Sequence, residues 1–388
     1  MCIVPLSAKV ADNVMTGAIG DQEKKLVAAK GFDRSRKNNE QGDNVMNWFE
    51  HLTGFCETDY QSTRSQLEVN GDQLRSRVNG KCYGVGTLEL LSLQELRERI
   101  KSAGNLPGQL KVQVVKGDVR RLHQSPEYAG ALFQVASQFN LLEMVGPGVT
   151  PEHGVTRYED DATQGPACAI AAGAATIYRN YFAPVGSAAG QTKTRQLNGL
   201  ADLGGVLSQS LDLPVDDLWE MRNGYALCSQ PGLRAISEHL ASATPAEVDA
   251  LRGHLRIGLH SDVEVTDVNE DNQSPGFAGP LVSQAFCSAL PVVYSRVPKA
   301  DWRCFASLVL EAAYEATLWA GVLNRQRGKS NIVLLTCLGG GAFGNDDDWI
   351  HAAIRRALQK AAGFALDVRL VSYGAPSEEL KKMAKVFE

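Results

Sequence analysis

No uninterrupted apolar run in the sequence approaches the roughly 20 residues that a membrane-spanning helix needs, so no bilayer-crossing segment is expected. Charge of one sign is also lacking: 39 Lys and Arg stand against 44 Asp and Glu, a formal charge of −5. Without a strong basic field the chain has nothing with which to hold nucleic acid or an anionic membrane surface, and direct nucleic-acid binding is not expected. Cysteine is present but unpatterned. The 8 cysteines, at positions 2, 56, 82, 168, 228, 287, 304 and 337, form no Cys-x-x-Cys pair and no dense spacing, which suits free thiols in a reducing compartment rather than a disulfide scaffold. The apolar start, Met1 to Leu6, is too short for a secretory core and acidic residues follow at Asp12, Asp21 and Glu23. Neither a signal nor a transit peptide is expected, which implies a cytoplasmic protein, or a nuclear one in a eukaryote.

What is present is the composition of an ordinary globular protein, 44% hydrophobic and 21% charged, over 388 residues. Residues 1–44 carry little apolar periodicity and read as a flexible leader. Residues 45–107 read as an extension packed on the main domain. Within it Ser92 to Ala103 has the pattern of a capped helix, with Ser92 as N-cap and Glu95 three residues on. From residue 108 strands and helices alternate. Strands are expected at Leu110–Val115, Gly130–Ala136, within Leu281–Tyr294, at Asn331–Cys337 and at Asp367–Tyr373; helices at Pro166–Phe182, Phe305–Leu323 and Trp349–Ala362. Several of these strands are apolar on both faces, as a sheet covered by helices on both sides requires, so the class is α/β. Residues 183–279 are richer in Gly, Ser and Pro and read as an insertion, with amphipathic pieces at Asp216–Arg222, Leu233–Leu240 and Pro245–His254 and a strand at Arg256–Val265.

Three segments carry chemistry. The first is a buried strand discharging through Gly339-Gly340-Gly341-Ala342-Phe343-Gly344-Asn345 into a helix start. Glycines there expose backbone N–H groups without intervening Cβ atoms, beside the positive end of a helix, which is a geometry that cradles phosphate. A plain strand-to-helix turn would need one of these glycines and not four. Gly339-x-Gly341-x-x-Gly344 also satisfies the dinucleotide spacing, but the one following strand ends without an acid to hold a ribose diol, so a nicotinamide site is not expected and no cofactor is assigned. The second segment leads through Glu159, Asp160 and Asp161 to Thr163-Gln164-Gly165-Pro166 and an alanine-rich helix, a second helix start able to face an anion. Crowding of the three acids can prepare a carboxylate for general acid or base work; a solvated acidic loop is the alternative. The third is Lys116-Gly117-Asp118-Val119 at the end of the first strand, by itself an ordinary turn.

Other candidates have structural readings. Cys168 sits at a helix start but lacks a neighbouring histidine apart from His153, His254 and His260 are too sparse for a metal site, and Asn345 to Asp348 fit helix capping as well as a magnesium ion. Trp302, Phe305 and Trp319 fit core packing.

Taken together, Gly117-Asp118-Val119 after a strand, Val135-Ala136-Ser137-Gln138-Phe139-Asn140 ending the next, an alanine-rich helix, and Gly339 to Gly344 near the C-terminus resemble the macrodomain family, over roughly residues 108–182 and 281–375. The resemblance implies a three-layer α/β/α fold with a mixed central sheet, and binding of ADP-ribose or of ADP-ribosyl groups on a macromolecule. It implies that Asp118, with Val119, meets the adenine, that Asn140 lies near the distal ribose, and that Thr163, Gln164 and Gly165 grip the diphosphate together with Gly339 to Asn345. Phe343 then sits beside the ribose. The Gln-Glu-Glu of a poly(ADP-ribose) glycohydrolase is absent. Hydrolysis of an ADP-ribosyl linkage, with Glu159, Asp160 or Asp161 positioning water, and a non-catalytic reader of the same ligand both remain open.

Overall fold

A computed structural model describes residues 46–102, 107–267 and 279–387, and the expected leader lies outside them. The strands, in chain order, begin with a small antiparallel sheet, β1 (Leu67–Asn70), β2 (Gln73–Ser76) and β3 (Cys82–Gly84). β4 (Thr87–Ser92), β5 (Lys111–Lys116) and β6 (Leu132–Ala136) follow, then the hairpins β7 (Pro184–Val185) with β8 (Ala188–Ala189) and β9 (Trp219–Arg222) with β10 (Tyr225–Cys228). The chain closes with β11 (Arg256–Glu264), β12 (Leu281–Cys287), β13 (Ile332–Leu335) and β14 (Asp367–Ser372).

Seven of these form one mixed sheet in the order β4-β11-β12-β6-β13-β14-β5. The five strands from β12 to β5 are parallel, and β11 runs against both its neighbours. Alternation divides the side chains between two cores. Leu132, Val333, Leu335, Val368 and Leu370 pack on one face, with the 28-residue helix Lys299–Gln326 and the helix Asp347–Ala361. Phe133, Val135, Leu334 and Phe286 pack on the other, with Val119, Cys168, Ala172 and Ala175 from shorter helices. This is the three-layer α/β/α architecture that the doubly apolar strands imply.

Three expectations change in detail. The alanine-rich helix is two helices, Gln164–Ala171 and Gly173–Tyr181, broken at Ala172 (φ −112, ψ 59). Thr266 and Asp267 donate their N–H groups to the Ala171 carbonyl and the Thr266 hydroxyl accepts from Gly173 N, so long-range partners replace the helical ones that alanine propensity favours. Asp216–Arg222 is not one amphipathic piece: the short helix Val215–Leu218 gives way to β9, because Asn223 and Gly224, both at positive φ, make a two-residue turn to β10. Finally β4 and β11, from the segments read as extension and insertion, each add a strand to the central sheet. The capped helix does form, as Leu93–Ser102, with Glu95 Oε2 accepting from Ser92 N at 2.7 Å and Ser92 Oγ accepting from Glu95 N at 3.1 Å.

Outside the sheet, Glu315 is the electrostatic anchor of the long helix. Its buried carboxylate meets Arg97 and Arg356 at 2.6 Å each and accepts from the Trp319 indole at 3.1 Å. Replacement by alanine leaves Arg97 and Arg356 to their half-exposed partner Asp249, at 3.0 and 2.8 Å, so Glu315→Ala should destabilise the fold by about 3 kcal/mol in urea titration, near the lower end of values for breaking a buried pair. A change within experimental error would show that the cluster contributes nothing net.

Candidate functional site

The parallel strands all end on one side of the sheet, and there the loops after β6 and β13 enclose a cleft with the start of helix Gln164–Ala171. Its walls include Ala136 to Gln138, Glu143 to Val145, Asp161, Thr163 to Pro166, Thr336 to Gly339, and Gly341 to Phe343, with Tyr225 and Tyr294 closing one end. It encloses about 150 Å³, within an open groove of about 730 Å³.

The floor depends on how closely the helix start approaches the end of β6. Gln164 spends its side-chain amide on that strand, accepting from Ala136 N at 2.8 Å and donating to the Gln134 carbonyl at 2.8 Å. Next to it, a Cβ on Gly165 would lie 2.0 Å from the Ala136 oxygen, so only glycine permits this approach. Of the first helical turn, Pro166 has no N–H and Ala167 N donates to the Thr163 carbonyl at 3.2 Å, which leaves the N–H groups of Gln164 and Gly165, both cleft-lining residues, without a backbone acceptor.

The loop after β6 is held open by side chains. Gln138 Oε1 accepts from Met144 N at 2.8 Å while its amino group donates to the Met144 carbonyl at 3.2 Å, and Leu141 takes positive φ. Asn140 is fully buried, accepting from Leu142 N at 3.1 Å and donating to Gln196 at 2.8 Å. It shapes this loop from behind and does not line the cleft.

Opposite lies the glycine loop. Gly339 (φ 74) and Gly344 (φ 69) need their positive φ, and Cβ atoms there would strike Ala289 at 2.4 Å and Val293 at 2.1 Å. Asn345 is buried, donating to the carbonyls of Leu290 (2.8 Å) and Gly339 (3.3 Å), and so closes the loop rather than the cleft. Gly340 also turns away, toward Ile350. Gly341 has open space where a Cβ would be, and the N–H groups of Gly341, Ala342 and Phe343 make no backbone hydrogen bond. These are the groups available to an anion. The Phe343 ring joins Tyr225 (5.3 Å between centroids) and Tyr294 (5.8 Å) in an aromatic wall.

The acids separate. Asp161 lines the cleft, with Oδ1 accepting from Thr163 N at 2.9 Å. Asp160 is exposed, 4.0 Å from Arg157, and Glu159 lines a different groove with Arg120 and Asp267. Asp118 is the N-cap of helix Val119–Gln124, accepting from Arg120 N at 2.9 Å, with Val119 buried beneath it. It lies in a separate groove with Arg121 and Gln124, on the other flank of helix Gln164–Ala171.

Glu143, unremarked in the sequence, forms part of the cleft floor. Its carboxyl is buried, and burial pushes its pKa up to about 7 against the pull of Arg179, whose Nη2 lies 3.5 Å from Oε2. The sequence does carry a signal: an acid inside the apolar run Phe139 to Val145, and an arginine within the apolar face of helix Gly173–Tyr181. The remaining candidates are structural. Burial pushes the Cys168 thiol well up, which leaves no thiolate at the helix start, and His260 is buried against Tyr178 and Phe286. Asp346 caps helix Asp347–Ala361 and pairs with Lys299 at 2.9 Å. Among the described residues no group of His, Cys, Asp and Glu could hold a metal ion.

The two kinds of loop glycine should behave differently. Gly344→Ala, at positive φ and against Val293, should cost about 1 kcal/mol or more in chemical denaturation. Gly341→Ala should stay within about 0.5 kcal/mol of the parent. Equal costs would mean that the loop adopts another conformation.

No protein-family model matches the chain, and no curated protein does. The solved structures to which it is similar include a poly(ADP-ribose) glycohydrolase from Deinococcus radiodurans in complex with ADP-ribose, at 14% identity over 77% of this chain and 92% of that one, with a TM-score of 0.38. Another is the poly(ADP-ribose) glycohydrolase from Thermomonospora curvata, at 12% identity over 94% of this chain and 98% of that one, with a TM-score of 0.40. Likeness at this level assigns no role to any residue.

Proposed function

We propose that the cleft binds ADP-ribose or an ADP-ribosyl group and that the protein hydrolyses an ADP-ribosyl linkage. The observation that carries this reading is the pairing of two backbone anion sites, the start of helix Gln164–Ala171 and Gly341 to Phe343, across one cleft with an aromatic wall. Facing helix and glycine-loop N–H groups suit a diphosphate, and the wall suits the sugar attached to it. The adenosine would lie in the open part of this groove, with Asp118 outside it in a groove of its own. Hairpin β9–β10 contributes Tyr225 to the cleft, which supports a role for the region 183–279 in selecting the ADP-ribosylated partner.

In the hydrolytic version water attacks the anomeric carbon as the linkage breaks, with Asp161 the member of the acidic trio at hand to orient it. The reader version uses the same contacts without the water.

Calorimetry with ADP-ribose, followed by incubation with mono-ADP-ribosylated protein, tests both. Binding with release of ADP-ribose is the expected result; binding without release would leave a reader, and no binding would remove the ligand assignment. Gly341→Glu should keep the fold, since nothing lies within 4 Å of its Cβ position, yet abolish binding by filling the anion site. Phe343→Ala should weaken binding by about 0.5–1.5 kcal/mol, the range of an aromatic contact.

A further inference from the structure

Asp161 places a carboxylate in a cleft whose backbone N–H groups suit an anion. Beside a diphosphate such a charge is repelled, unless a cation enters the cleft with the ligand. No Lys, Arg or His is among the residues lining the cleft, so the protein does not itself supply that cation there. The carboxylate is held in place: Oδ1 accepts from Thr163 N at 2.9 Å, and Oδ2 takes no hydrogen bond from a described residue.

The aromatic wall has a matching form. Tyr294 and Phe343, both half-buried, meet nearly at right angles, with centroids 5.8 Å apart and planes at 76°. Tyr225 is buried behind them, its centroid 5.3 Å from each, and its hydroxyl donates to the Met144 carbonyl at 2.6 Å. Burial, Tyr294 and the charge of Asp161 keep that phenol neutral, so Asp161 is within electrostatic reach of the wall. A corner of two rings with a carboxylate at hand suits a flat organic cation, because ring faces and carboxylate both attract positive charge. Leaving-group chemistry agrees. A serine alkoxide needs a proton as it departs, and the cleft acid that burial keeps protonated, Glu143, is closed off, with its side chain 1% exposed. A guanidinium carries positive charge before the bond breaks, and the departing electron pair neutralises it without a proton donor.

We propose that the end of the cleft formed by Tyr294, Phe343 and Asp161 takes the guanidinium of an ADP-ribosylated arginine, so that the linkage cleaved joins the anomeric carbon to an arginine nitrogen, an inference that rests on the ADP-ribosyl reading above. The oxygen of water bonds to the anomeric carbon, the C–N electron pair passes to the guanidine nitrogen, and the proton lost by the water goes to that nitrogen. The products are ADP-ribose and an unmodified, still cationic arginine.

The test compares two peptides of the same surrounding sequence, one ADP-ribosylated on arginine and one on serine, beside calorimetry with ADP-ribose. Expected is release of ADP-ribose from the arginine-linked peptide at least about fivefold faster at low substrate concentration, the scale of a cation held by partly exposed aromatic rings. A smaller ratio, with ADP-ribose bound, overturns the assignment and leaves the ligand reading standing. If the parent binds ADP-ribose and hydrolyses neither peptide, the two affinities decide by the same ratio. Failure of the parent to bind ADP-ribose sinks the ligand reading and this inference with it. Asp161→Asn still accepts from Thr163 N but loses the charge. It should bind free ADP-ribose at least as tightly as the parent and the arginine-linked peptide more weakly, by about threefold, the scale of a solvent-accessible ion pair. Parallel changes in the two affinities overturn the counter-ion role of Asp161.

Discussion

The site depends on one close approach, the start of helix Gln164–Ala171 against the end of β6. Gln164 continues the hydrogen bonding of the strand with its side chain, and Gly165 lets the two backbones meet where any Cβ would collide. Because that contact fixes the helix end, Gln164 and Gly165, whose N–H groups have no backbone acceptor, line the cleft. It also sets the depth at which Glu143 lies, since the missing Cβ of Gly165 would fall 3.2 Å from Glu143 Cγ.

Charge in the cleft follows from the same arrangement. No lysine or arginine is among the residues lining it, and its titratable side chains include the acids Glu143 and Asp161. An anionic ligand must therefore be held by backbone dipoles from the helix start and the glycine loop, while Arg179 compensates Glu143 from behind. Fixed backbone donors suit this purpose because their positions are set by the fold and cost no side-chain ordering when ligand arrives.

The layered fold was legible in the sequence, and so were the two loops that meet at the cleft, because each rests on a local pattern. Strands apolar on both faces mark the covered sheet, and four glycines before a helix mark a tight loop, of which Gly339 and Gly344 serve positive φ and close packing and only Gly341 is open. The break at Ala172 was not legible, since the alanines either side favour continuation and the competing partners, Thr266 and Asp267, come from distant sequence. The acidic trio shows the converse limit. Three adjacent acids look like one cluster in sequence, yet the turn Thr156–Asp160 sends Glu159, Asp160 and Asp161 to three different surroundings. Asn140 was legible as a polar residue at the right turn, but whether its amide faces ligand or loop is decided by Gln196, 56 positions away.

Glu143 shows how a buried acid can hide in a core-like segment. In the run Phe139 to Val145 it is flanked by leucines and a methionine, and buried surroundings are what raise its pKa. The apolar neighbours that obscure it in the sequence are thus the physical cause of its raised pKa: an exposed glutamate in a polar loop would draw more notice and would be ionised at neutral pH. Arg179 limits the effect. Its Nη2 stands 3.5 Å from Glu143 Oε2 while its other hydrogen bonds go to the Leu141 carbonyl and Thr176 Oγ1, so its charge offsets the burial of the acid without a close, bidentate pair.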